Sequence, residues 1–199
     1  MKNTCVALLL LILSSCTYYS GVYDLSLNQV KSGTKNYPLT ANTMTHSDSL
    51  IDITWKLNAT SFSFQLVNKS NSNLRINWNE AVYVDHSGTS GAIIHSEVKY
   101  IDKNKPQKPT VIVAGSKVED IIVPSENIYY VSGQYGGWKT KPILPNWGRS
   151  QEELDALTDV YIDKDISILL PISSGEDTYE YLFKFHVNDF KNTGKMSVY

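Results

Sequence analysis

Cysteine is nearly absent. The chain of 199 residues has two, Cys5 and Cys16, and none follows residue 16. Beyond that point there is no disulfide within the chain and no cysteine-ligated metal, so the folded part must be held together by a buried core. Long apolar runs are also missing. The unbroken run over residues 6–13 is well short of the roughly 20 residues a membrane-spanning helix needs. No basic block exists. Lys and Arg number 18 against 20 Asp and Glu, for a net charge of −2, which argues against a nucleic-acid partner. Catalytic signatures are lacking as well. There is no His-Glu-x-x-His and no Gly-x-Ser-x-Gly, and the glycines at 133, 136 and 137 have no Lys-Ser/Thr after them to make a phosphate loop. The adjacent acids Glu119-Asp120 and Glu152-Glu153 are poor acid–base pairs, because neighbours on a strand point to opposite faces.

What is present is aromatic and alternating. Thirteen tyrosines and four tryptophans suit pleated, half-buried surfaces. In residues 51–57, Ile51, Ile53, Trp55 and Leu57 share one face while Asp52, Thr54 and Lys56 share the other. This period of two marks a strand with one face buried. Phe62, Phe64 and Leu66 repeat it, as do Leu74, Ile76 and Trp78, then Val82 and Val84. Ile94, Val98 and Tyr100 align in a further segment, and Tyr179, Tyr181, Phe183, Phe185 and Val187 alternate without a gap. Short strands are also expected over 110–115, 117–123, 127–131, 166–170 and, at the end, 195–199. Polar turn clusters separate them. The pattern predicts an all-β fold, an immunoglobulin-like antiparallel β-sandwich without the usual disulfide. One short helix is expected inside a long loop, at 150–157. Ser150 can cap it, Glu153 follows three residues on, and Glu152 and Asp155 are acids near its start.

The front end has the build of a secretory leader. Lys2 supplies a positive start, the apolar run follows, and Ser14-Ser15 are small. Leu13-Ser14-Ser15-Cys16 resembles the lipobox of bacterial lipoproteins. That resemblance implies cleavage before Cys16, a lipid on its sulfur and an acyl chain, such as palmitate, on the new amino terminus. Each buried methylene contributes about 0.8 kcal/mol, so two or more chains hold a protein to a bilayer by themselves. Thr17 follows the cysteine where an aspartate would favour inner-membrane retention. By the same resemblance the expected location is the outer membrane, facing the periplasm. The expected organisation is a leader over 1–15, a lipidated tether over 16–48 with an early strand in 21–27, and a β-sandwich domain over 49–199. The segments 77–85, 94–100 and 129–145 also resemble uncharacterised lipoproteins of Bacteroidetes. Separately, Asp48-Ser49-Leu50 resembles the short O-glycosylation acceptor used by that group. These resemblances bring no catalytic residue with them.

Two sets of residues are candidates for function. Residues 131–148 hold four glycines, two prolines and large aromatics outside any period. A long loop of this kind is usually functional or packed as its own unit. Tyr135, Trp138, Lys139 and Trp147 are therefore a candidate contact surface for an envelope protein or glycan, or else the tryptophans fold back over one end of the core. The second set is Asp85, His86 and His95, around the loop at 85–91. If that loop closes a hairpin, they are weak candidates for a metal or hydrolytic site. His186 shares a face with Glu180 and Lys184 and reads as an exposed strand residue. The sequence thus points to a lipid-anchored, non-catalytic binding or structural protein of the cell envelope, with no cofactor and no nucleic-acid partner. A metal-dependent or hydrolytic envelope enzyme is the alternative.

The lipobox reading has a direct test. Cells expressing the full chain and fed an alkyne analogue of palmitate should label the protein, and Cys16→Ala should lose both the label and membrane fractionation. Label retained in Cys16→Ala would exclude this attachment point.

Overall fold

The computed structural model describes residues 16–198, with side chains from residue 18 to residue 194. The leader expected over 1–15 and the Cys16 side chain lie outside the described residues. The strands in chain order are β1 (Cys16–Ser32), β2 (Lys35–Tyr37), β3 (Thr45–Ser47), β4 (Ile51–Leu57), β5 (Phe62–Asn68), β6 (Leu74–Ile76), β7 (Val82–Val84) and β8 (Ser90–His95). There follow β9 (Thr110–Ile112), β10 (Lys117–Pro124), β11 (Ile128–Val131), β12 (Gly137–Thr140) and β13 (Trp147–Gly148). The helix α1 (Gln151–Asp159) precedes β14 (Asp165–Ser174) and β15 (Asp177–Val198). The fold is all-β and sandwich-like, with one short α-helix, as the alternation predicts.

The two layers belong to one hydrogen-bonded path, β13-β1-β15-β14-β7-β8-β10-β5-β4-β3, antiparallel throughout. The corner is β8. Its residues Ser90, Gly91 and Ala92 pair with β7, and Ile93, Ile94 and His95 pair with β10. The far ends of the path are tied together by main-chain bonds. Thr43 C=O accepts from Leu27 N–H of β1 and the next carbonyl, Met44, accepts from Trp55 N–H of β4, both at 2.8 Å. At the other end of the layers, Asn146 C=O accepts from Gly21 N–H and Ala59 C=O accepts from Ile143 N–H. Backbone groups at these openings are thereby satisfied.

The curl closes around aromatic side chains. Trp55 of β4 lies 5.1 Å from Phe64 and 5.1 Å from Phe183 of β15, and 5.6 Å from Phe185. Phe62 of β5 lies 5.0 Å from Phe185. These inward faces are the ones the period-two pattern selects, and Phe62, Phe183 and Phe185 are completely buried. Pro171 sits within β14, where a missing N–H would normally break a ladder. It is tolerated because pairing with β7 stops at Leu169 of β14 and pairing with β6 starts at Ile172, so Pro171 falls in the gap between two neighbours.

Three expectations are corrected. The segment 16–48 is not a tether: β1 pairs with β15 along its length, and Tyr23, Leu27 and Val30 are buried in the core. Register shifts at Asp24/Leu25 and Leu27/Gln29 break the period of two, so the strand does not show as simple alternation. The early strand expected at 21–27 lies within β1, which is longer, so the sheet takes in Cys16–Ser32 as well as the residues from 49 on. In β7 the buried residue is Tyr83, with Val82 and Val84 half-buried. The strand expected to run on through Val98 and Tyr100 ends at His95, and Tyr100 starts a 3₁₀ turn, Tyr100–Asp102. The helix forms as predicted. Ser150 Oγ accepts from Glu153 N–H at 3.1 Å and Glu153 Oε2 accepts from Arg149 N–H at 2.8 Å. Its Leu154 is buried against Gly148, where a Cβ would collide with the Leu154 backbone.

Trp55 carries one defect: its indole N–H is buried with no hydrogen-bond partner among the described residues. Trp55→Ala should cost about 3–5 kcal/mol in denaturant unfolding. Trp55→Phe, which removes the unpaired N–H with part of the volume, should cost under about 1.5 kcal/mol. Equal losses would show that a smaller ring does not substitute for the indole here and that removing the unpaired N–H brings no gain.

Candidate functional site

The stretch 131–148 divides into three parts with different surroundings. The first is a projecting hairpin. β11 and β12 form their own two-stranded sheet, with Tyr130 opposite Trp138 and Tyr129 opposite Lys139. The Tyr130 and Trp138 rings meet edge to face at 5.5 Å. Gly133 and Gly137 hold positive φ at the turn, which glycine adopts without strain. The base is fixed: Ile128 is buried with Ile94 and Val123, Lys103 Nζ donates to the carbonyls of Ser125 and Ile128, and Thr140 Oγ1 donates to Tyr100 Oη. Beyond that base the side chains stand in solvent. Tyr130 is 62% exposed, Tyr135 88% and Trp138 38%, and Lys139 is exposed.

The second part covers the core. Ile143 and Leu144 are buried, and Pro145 C=O accepts from the Tyr23 hydroxyl at 2.7 Å. This Pro-Ile-Leu-Pro segment closes one end of the layers, where the sequence offered the tryptophans as an alternative cover. The third part is Trp147, which pairs with β1 in β13 and meets Tyr18 edge to face at 5.5 Å. It is 49% exposed and stands apart from the hairpin, on the wall of a cleft.

That cleft, about 460 Å³, lies between β7, the β11–β12 stems, the 141–147 segment and α1. Its lining includes Tyr83, Asp85, His86, Glu126, Lys141, Trp147, Glu153 and Tyr161. The hairpin rises from its rim, since Glu126 and Asn127 enter β11, Lys141 leaves β12, and Lys141 N–H donates to Asn127 C=O at 2.8 Å. Asp85 is held in an Asx turn. Its Oδ1 accepts from Ser87 N–H, Ser87 Oγ and Thr89 N–H. Burial raises its pKa, but these bonds and the nearby His86 outweigh it and leave the carboxyl below its usual value. The Tyr83 and Tyr161 hydroxyls are pushed up by burial and by Asp85, so both stay neutral. The His86 ring lies 4.5 Å from that of Tyr161.

The cleft takes in one residue of the aromatic candidate set, Trp147, and two of the catalytic set, Asp85 and His86. His95 is elsewhere. It is buried at the end of β8, with Nδ1 3.1 Å from Asp120 Oδ2, and its ring stacks on Trp78 at 4.5 Å and 3°. Asp120 Oδ1 accepts from Ser96 N–H. This pair joins β8 to β10 and to the Trp78 indole, and it does not share a point with His86. Among the described residues no group of three or more His, Cys, Asp or Glu is placed to hold a metal ion. His186, expected exposed, is half-buried with Nδ1 2.9 Å from Asp165, which also pairs with Lys184 at 2.6 Å.

A second buried polar group had no sequence signal. Asp48 Oδ1 accepts from the Leu50 and Ile51 N–H groups, and Oδ2 accepts from the Tyr181 hydroxyl at 2.7 Å. His46 Nε2 stands 3.6 Å away with no hydrogen-bond partner among the described residues. Burial acts to raise the Asp48 pKa. The His46 ring, the two N–H groups and Tyr181 reverse that and hold it well below the usual carboxylate range. The Tyr181 hydroxyl is pushed up by burial and by its bond to Asp48. The Asp48-Ser49-Leu50 triplet thus has an Asx turn at its first residue.

Comparison with family models, with characterised proteins and with solved structures gives no match.

Asp48 makes the fold acid-sensitive. Its pKa is lowered by folding, so its contribution is complete above the ordinary carboxylate pKa and is lost as pH falls towards the folded value. Asp48→Asn should be clearly less stable than the parent near pH 7, and the gap should narrow towards about pH 2. Denaturant titrations across that range test this, and a gap independent of pH would show that Asp48 ionisation does not contribute.

Proposed function

We propose that this chain is a lipid-anchored cell-envelope protein that acts by binding, not catalysis, and that the β11–β12 hairpin is its contact surface for an envelope protein or glycan. The single observation that supports this most is the exposure of Tyr130, Tyr135 and Trp138 on a hairpin with a fixed base. Large aromatic side chains lose hydrophobic stabilisation while they face water, and they are the residue types that dominate contact energies when covered. A firm base lowers the ordering cost of such a contact. Lys139, across from Tyr129, adds a charge at the rim. The anchor reading rests on the lipobox at residues 13–16. If Cys16 carries the lipid, the sheet begins at the attachment point, because β1 starts at Cys16. The domain would then stand close to the bilayer instead of on a flexible stalk. No helix of the described residues is long and apolar enough to cross a membrane.

The enzymatic alternative loses its third member, since His95 is committed to Asp120. Asp85 and His86 remain neighbours in the cleft, with Asp85 Oδ1 occupied by its turn.

Cross-linking in cells, with the partner identified, tests the hairpin. Tyr135→Ala combined with Trp138→Ala should reduce cross-linked partner at least about tenfold, as loss of two aromatic anchors does. Its melting temperature should match that of the parent, because both side chains are outside the core. Cross-linking that survives the double substitution would overturn the hairpin as the contact surface.

A further inference from the structure

The cleft beneath the hairpin has an unbalanced lining. Asp85, Glu126 and Glu153 bring three carboxylates to it. Among the described residues none of them takes part in an ion pair. Asp85 is kept ionised by its turn, and Glu153 has one oxygen on Arg149 N–H. The Glu126 carboxylate has no hydrogen-bond or ion-pair partner among the described residues, and it lies near Gly91, where even a Cβ would come within 3.7 Å of it. The one lysine in the lining, Lys141, places its Nζ 5.9 Å from the centre of the Tyr129 ring, on the hairpin. The remaining lining sets three aromatic residues, Tyr83, Tyr161 and the half-exposed Trp147, among prolines and the aliphatic Ile143 and Leu157.

From this lining we propose that the cleft is a binding site for a small organic cation, an ammonium group on a compact apolar body. A concave wall of one charge sign, poorly screened by protein, focuses potential and concentrates the opposite charge. Aromatic faces add attraction for the same ligand, because the ring quadrupole favours a cation and most of all a desolvated one. The volume falls within the range of small-molecule sites. An anion would meet three carboxylates against one lysine. A neutral polyol could donate to them but would leave their charge unbalanced. The site needs neither the lipid anchor nor the hairpin contact, so it can stand if either of those fails.

Calorimetric titration of the purified chain with choline, with its uncharged carbon isostere and with cellobiose tests the class. Choline should bind with a dissociation constant of about 1 mM or tighter, and the isostere at least about tenfold more weakly. Glu126→Gln and Trp147→Ala should each weaken choline at least about fivefold. Both side chains are exposed, so folding should survive, and an unchanged melting temperature confirms it. Trp138→Ala on the hairpin should leave choline binding unchanged. Equal binding of choline and its isostere would overturn the proposal, as would cellobiose binding in place of choline. Absence of choline binding up to about 10 mM, or a Glu126→Gln chain that binds choline like the parent, would do the same.

Discussion

The contact on which the rest of the structure depends is the aromatic seam between β4–β5 and β15. Trp55 meets Phe183 and Phe185 across the interior, Phe62 meets Phe185, and Phe62 and Phe64 flank Trp55. With no disulfide available beyond residue 16, burial of these rings is the main force that holds the two layers face to face. The hydrogen-bonded path can run from one layer to the other through β8 because that seam fixes the separation of the layers. The cost is an indole N–H with no partner, accepted in exchange for ring volume at the centre.

Function-bearing features sit where this seam does not reach. Among the described residues the hairpin of β11 and β12 pairs with no other strand. It hangs from one small cluster, Ile94, Val123 and Ile128, and from the Lys103 bonds to its base. The cleft opens between that base, β7 and α1, where the layers diverge and the Pro-Ile-Leu-Pro segment covers the core end. Polar groups inside the fold have a different use. His95 with Asp120, and Asp48 with Tyr181, join strands through satisfied bonds. Such pairs specify register more than they add net stability. They also remove histidines from the pool of candidate ligands.

Much of the fold was legible in the residues. Period two in 51–57, 62–66 and 179–187 gave strands and their buried faces correctly, because one face of each meets the core. Ser150 and Glu153 marked the helix start, because capping is local chemistry. The failures were of a different kind. Apart from 21–27, β1 reads as a tether because three register shifts break its alternation and polar residues fill its other face. β7 was read from its valines, but a three-residue strand is too short for periodicity to say which side is buried. At the candidate sites, the exposed aromatics of 130–138 were half legible: the sequence singled out Tyr135 and Trp138, and could not separate them from Trp147. Glu126 and Tyr161 gave no signal at all, since each is ordinary in its local context.

The sequence by itself determined the all-β class, the inward faces, the helix cap and the reliance on a core. All of these follow from interactions within a few residues, or from composition. Tertiary structure alone decided which distant segments share a space. It put Trp147 with Asp85 and His86, sent His95 to Asp120, drew Asp48 to Tyr181 across 133 positions, and left the hairpin aromatics in water. The reason is that antiparallel pairing and layer packing set those distances, and neither leaves a periodic mark on the residues that meet.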